Sequence, residues 1–189
     1  MFESRRSRWV FLLLEATCLP AAWALGWLLG VEPAATLRWS YSAVAMGMAA
    51  ALPGLAVVLA MRRWRPVCVQ PLLRLIDDLL VPAFAHWTVG ELLLVSFLAG
   101  VGEELLFRGV VQQALISPLG PWSALIAASL CFGVLHALSA SYAVFATLMG
   151  LYLGWLWMAS GNLLVPIAAH AAYDFLALVW LVRGKRAPA

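Results

Sequence analysis

Six runs of this chain are predominantly apolar: about residues 9–30, 39–61, 90–116, 122–138, 142–160 and 163–182. A bilayer core of about 30 Å is crossed by ~20 apolar residues wound as helix. Runs of that length predict an all-α, polytopic transmembrane helical bundle of about six spans. Composition supports this. The chain is 65% hydrophobic and 11% charged, whereas a soluble domain is nearer half apolar and a quarter charged. A small domain keeps much of its surface exposed, so lipid is the expected solvent for most of these residues.

The segment 62–89 between the second and third runs is different. It holds Arg62, Arg63, Arg65, Arg74, Asp77 and Asp78 with Pro66, Pro71 and Pro82. Apolar pairs alternate with charges over 71–80, which suits one amphipathic helix lying at the membrane surface. Three regions follow: 1–89, a two-span region with the amphipathic segment; 90–182, a four-span core; and 183–189, a basic tail.

All but one of the 12 basic residues are arginines, gathered at the ends of runs: Arg5, Arg6 and Arg8; Arg62, Arg63 and Arg65; Arg183 and Arg186 with Lys185. That is the pattern of topology signals. A nucleic-acid footprint would need them on one exposed face, so no nucleic-acid partner is expected. Six spans return both termini to the cytoplasmic side. Arg5–Arg8 and the following apolar run resemble a cleavable signal peptide, but Glu15 and the length of the run favour an uncleaved first span. Trp9, Trp39, Trp64, Trp87 and Trp122 fall near span ends, as an aromatic belt does. The 3 cysteines, Cys18, Cys68 and Cys131, have no CxxC spacing and read as small buried apolar residues.

Ionisable groups inside lipid are costly and mark interior, functional positions. Six lie deep: Glu103, Glu104 and Arg108 on the third run, His136 on the fourth, His170 and Asp174 on the sixth. The first two runs supply only Glu15, near a span end. At ~1.5 Å rise per residue, the three groups of residues can meet at one depth. Glu104 and Arg108, four apart, share a face and can pair. Glu103 is turned by ~100° from Glu104 and has no partner on its own helix, which suits a general base. Phe132 and His136 share a face, as do His170 and Asp174. Gly100, Gly102, Gly109 and Gly133 permit close helix approach. Tyr142 and Tyr173 read as plain lipid- or helix-facing aromatics.

Glu103 to Arg108 reads EExxxR, Phe132 to His136 reads FxxxH, and His170 to Asp174 reads HxxxD. In that order, over about residues 90–180, these motifs resemble the CPBP family, the CAAX proteases and bacteriocin-processing enzymes also called Abi. The resemblance implies an intramembrane endopeptidase of a bacterial inner membrane. Glu103 with His136 would activate water, and His170 with Asp174 would stabilise the oxyanion. Glu104, Arg108 and Phe132 would support the site. Better-known prenyl-protein proteases of the family have Asn where this chain has Asp174. An ionised Asp cannot donate a hydrogen bond, so Asp174 is either protonated or orients His170.

Three chemistries stay open. The first is metal-free hydrolysis with no cofactor. The second is a zinc-dependent version ligated by Glu103, His136 and His170. The third is a non-enzymatic immunity- or transport-like membrane protein. No GxSxG is present, so a serine mechanism is not expected. Expected substrates are a C-terminal sorting tail, a lipid-modified protein or a leader peptide.

Overall fold

The computed structural model describes the backbone of residues 5–184 and the side chains of residues 8–184. Arg5 and Arg6, as side chains, and the tail residues Lys185 and Arg186 lie outside the described residues. Among those described, every regular element is helical. There are seven helices: α1 (Arg5–Leu29), α2 (Tyr41–Trp64), α3 (67–84), α4 (89–119), α5 (Pro121–Leu135), α6 (Ala140–Ser160) and α7 (Leu164–Gly184).

Four helices are long and apolar enough to cross a membrane, over Arg8–Leu29, Tyr41–Trp64, Ala140–Ser160 and Leu164–Gly184. The outer surface of the bundle is apolar: Leu13, Leu14, Trp27, Val57, Phe97, Val134 and Leu148 are all exposed. Charges lie inside instead, with Glu104 at 0% and Arg108 at 1% exposure. This inversion of the soluble pattern identifies a membrane protein.

The two remaining expected spans take other forms. The 90–116 run lies within α4, which is regular over Val89–Glu104 and Gln113–Leu119 and wound as π-helix over Leu105–Gln112. Such wider turns are often found at functional sites. The 122–138 run is helical only to Leu135. His136 leaves helical geometry (φ −95°, ψ 13°), and Ser139 caps α6 by accepting the Tyr142 N–H. The turn between α5 and α6 therefore starts earlier than its hydropathy indicates.

The amphipathic segment folds as α3, with Leu72, Leu73 and Ile76 buried. Arg62 pairs with Asp77 at 2.8 Å. Helix α4 starts at a capping box in which Thr88 and Glu91 bond reciprocally, which satisfies amides otherwise unpaired at a helix start. Arg8 reaches Glu91 at 2.9 Å, and Arg183 donates to the Trp87 carbonyl at 3.0 Å. Of the tryptophans expected in an aromatic belt, Trp9, Trp39, Trp64 and Trp122 are exposed, but Trp87 is buried. It packs on Phe84 and Phe11.

Helix α7 runs between α2 and α4, α1 lies against α4, and α5 pairs with α6. At the opposite end, the α1–α2 loop clasps the α6–α7 turn. Asn162 exchanges hydrogen bonds with the Arg38 backbone, and Trp157 donates to Thr36. Two glycines set the central spacing. A Cβ at Gly100 would lie 2.8 Å from the Ala171 nitrogen of α7, and one at Gly102 would lie 2.9 Å from Cys18 Cβ of α1. Both neighbours are stiff helical atoms, so only glycine allows this approach.

Candidate active site

The close fit at Gly100 and Gly102 brings α7 and α1 to the carboxylates of α4. Glu103 and Glu104 end its regular part, Arg108 sits one turn later, His170 and Asp174 come from α7, and His136 comes from the end of α5. All seven sequence-predicted site residues lie in one connected network.

Arg108 anchors the network. Its Nη1 donates to Glu104 Oε1 at 2.8 Å, and its Nη2 donates to the Gly150 carbonyl of α6 at 2.8 Å. The guanidinium also lies over the Phe132 ring, 5.0 Å from its centre, a favourable cation–π position. Phe132 in turn stacks on His136, with ring centres 4.2 Å apart and planes 30° apart. One buried cation thereby supports both histidines, one through Glu104 and the other through Phe132.

The histidines are oriented by their Nδ1 atoms. His136 Nδ1 is 2.8 Å from the Phe132 carbonyl. A carbonyl only accepts, so Nδ1 carries the hydrogen and the neutral ring offers its lone pair at Nε2. That Nε2 faces Glu103 Oε1 at 3.4 Å. His170 Nδ1 is 2.8 Å from Glu104 Oε1, and its Nε2 faces Asp174 Oδ2 at 3.4 Å and Glu103 Oε2 at 3.7 Å. The three Nε2 separations are longer than an ordinary hydrogen bond. Glu103 thus stands between two imidazoles, one toward each of its oxygens, in long polar contacts on both sides.

Burial is graded. Glu103 and His170 are each 6% exposed, while His136 and Asp174 are half-buried. The network opens on the side of His136 and Asp174 and closes on the side of Glu104 and Arg108.

Glu15 belongs to this site. Its sequence position reads as near a span end, but α1 begins at Arg5, which puts Glu15 in mid-helix. Ligating atoms of Glu15, Cys18 and Glu103 lie within 4.8 Å of one another. The signal in the sequence was its isolation: a lone carboxylate in an apolar helix, with nothing nearby to pair it. Cys18 is half-buried, while Cys68 and Cys131 are exposed. Only Cys18 approaches the buried setting expected of all three.

By spacing, Glu15, Cys18 and Glu103 could hold a metal ion among the described residues. The zinc set expected from sequence, Glu103 with His136 and His170, does not converge in this way. The two imidazoles address opposite oxygens of one carboxylate and are absent from the close group. The arrangement therefore does not fit zinc held by those three residues, and no step is derived through it.

Comparison with known proteins is consistent with this helical site. The chain is 32% identical over 94 residues to YpbD, an uncharacterized protein of Bacillus subtilis (strain 168). The match covers 48% of this chain and 46% of YpbD, so the chain spans about half the length of that relative. No solved structure matches. Residues 85–176 match the family model described as Type II CAAX prenyl endopeptidase Rce1-like. That interval contains EExxxR, FxxxH and HxxxD, and over it the chain is similar to the Rce1-like family.

Proposed function

We propose that this protein hydrolyses a peptide bond within or beside the bilayer, using water activated by Glu103 and His136. The observation that carries the reading is the placement of Glu103 between His136 and His170, three groups from three helices buried in an apolar bundle. Buried ionisable groups are retained in membranes where function requires them.

The steps follow from the geometry. Water seated between Glu103 and His136 loses a proton to the Glu103 carboxylate while its oxygen bonds to the scissile carbonyl carbon. The carbonyl electron pair moves onto oxygen, and His170, protonated on both nitrogens between Glu104 and Asp174, offers its Nε2–H to the developing negative charge. When the intermediate collapses, the C–N bond breaks and the leaving nitrogen takes the proton from Glu103. Asp174, beside His170 Nε2, orients that ring; this role answers the departure from Asn noted in the sequence. Arg108, Glu104 and Phe132 hold the reacting groups without touching substrate.

The substrate is a protein segment that reaches the site through lipid: a C-terminal apolar sorting tail or a lipid-modified C-terminus, the latter in keeping with the prenyl endopeptidases of the matching family. The protein resides in a bacterial inner membrane with both termini cytoplasmic, supported by Arg62, Arg63, Arg65 and Arg183 at one end of the bundle.

The test uses detergent-solubilised protein and three quenched fluorogenic peptides, with an apolar C-terminal tail, a lipidated C-terminal cysteine, or a leader sequence. Glu103→Gln keeps shape and removes the base, and should lower kcat by ~10²–10⁴-fold. Full activity in that variant would end the proposal. Cleavage of none of the peptides by the native protein would favour a non-enzymatic role.

A further inference from the structure

Charge stabilisation needs hydrogen-bond donors aimed at the carbonyl oxygen, and the groups around Glu103 are mostly acceptors. Glu15, Glu103 and Asp174 present carboxylates. Neutral His136 spends its hydrogen on the Phe132 carbonyl. The amides of α4 and α7 are committed to helical bonding. His170 alone remains as a donor among the residues discussed so far.

Tyr142 supplies what is missing. The sequence reads it as a plain aromatic, but it is half-buried with its ring 6.4 Å from the His136 ring, tilted at 49°. Its phenol lies within electrostatic reach of Asp174, Glu103 and Glu15. Among the described residues its hydroxyl makes no hydrogen bond; its backbone N–H is the group that bonds Ser139. The position is built rather than incidental. The Ser139 cap fixes Tyr142 in the first turn of α6, only six residues beyond His136. Gly133 lets α5 seat directly on Ala143 and Thr147, which locks the two helices at the height of both rings. Tyr142 therefore borders the open side of the site, beside the ring of His136.

We propose that the Tyr142 hydroxyl is a catalytic residue of this site, donating a hydrogen bond to the scissile carbonyl oxygen as water adds. This rests on the protease reading above. The phenol keeps its proton throughout: the new C–O bond comes from water, the water proton goes to Glu103, and Tyr142 stabilises the oxyanion without being consumed. A phenol is a donor whatever the ionisation of Asp174, so it serves where a carboxylate cannot.

Tyr142→Phe removes one oxygen and keeps the ring. On whichever of the three fluorogenic peptides the native protein cleaves fastest, kcat should fall ~10²-fold or more, with KM within about twofold. Tyr41→Phe is the control: that ring is exposed and packs on Trp39, and its kcat should stay at the native value. A second readout is affinity for a peptide aldehyde, whose hydrate mimics the tetrahedral intermediate. It should weaken in Tyr142→Phe more than affinity for the uncleaved peptide. Native kcat in Tyr142→Phe, or a loss confined to KM, overturns the donor. If Glu103→Gln is inactive while Tyr142→Phe is fully active, this inference alone fails. If Glu103→Gln is active, or the native protein cleaves no peptide, the reading beneath it fails as well.

Discussion

Oε1 of Glu104 accepts hydrogen bonds from both Arg108 and His170, each at 2.8 Å. A single buried oxygen thus ties the orientation of His170 to the ion pair.

Breaking that pair from one side strands a charge. Glu104→Leu alone should cost about 3–5 kcal/mol, and replacing both Glu104 and Arg108 by leucine should recover most of this, because the buried pair itself contributes little net stability. The double variant should remain inactive, since His170 Nδ1 has lost its acceptor. Thermal unfolding in bicelles combined with peptide cleavage separates the two effects. A stable double variant with native turnover would show that Glu104 does not orient the histidine.

The Phe132 ring gives a second test of orientation. Phe132→Leu keeps an apolar side chain and the backbone carbonyl that His136 uses, but loses the stacking on His136 and the face beneath Arg108. Loss of well-packed buried contacts of this type costs about 1–1.5 kcal/mol. Turnover should fall by roughly tenfold if the ring positions His136 to that extent. Unchanged kcat with lowered stability would reduce Phe132 to packing.

Cys18 lies beside Glu15 and Glu103. A small thiol-directed reagent that adds a methylthio group there should occupy the space beside the base and block cleavage. Cys18→Ser should stay active and resist the reagent, although the exposed Cys68 and Cys131 still react. Equal inactivation of native protein and Cys18→Ser would place the sensitive thiol elsewhere.

Zinc dependence has a direct check. If Glu103 and His136 activate water unaided, dialysis against a chelator should leave peptide cleavage intact, and elemental analysis of active protein should find zinc well below one ion per chain. Stoichiometric zinc whose removal abolishes cleavage would reverse that assignment and direct attention to Glu15, Cys18 and Glu103 as ligands.

The helices were readable from hydropathy because lipid demands long apolar runs, and the main site residues were readable because a charge in such a run needs a reason. Glu104 with Arg108 follows from four-residue spacing. Other features depend on contacts between distant segments, which spacing along one helix does not encode. Glu15 looked peripheral because its partners lie on α4. Trp87 looked interfacial because Phe84 and Phe11 bury it only after folding. The early end of α5 escaped notice because Ala137 and Leu138 are apolar, and a hydropathy run continues through a turn that stays in lipid. Tyr142 carried no signal at all, since aromatic residues are common in such helices.

The π-wound stretch Leu105–Gln112 has a consequence for the length of α4. Wider winding accommodates a surplus residue, and rewinding the same residues at ordinary pitch would swing all that follows by roughly 100°. Glu103 and Glu104 lie before the stretch; Gly109 against Pro33, and Gln112 against Gly154, lie within it. An α4 rewound in that way could keep its carboxylates in phase with α7 or its far half in phase with the α1–α2 loop and α6, but not both.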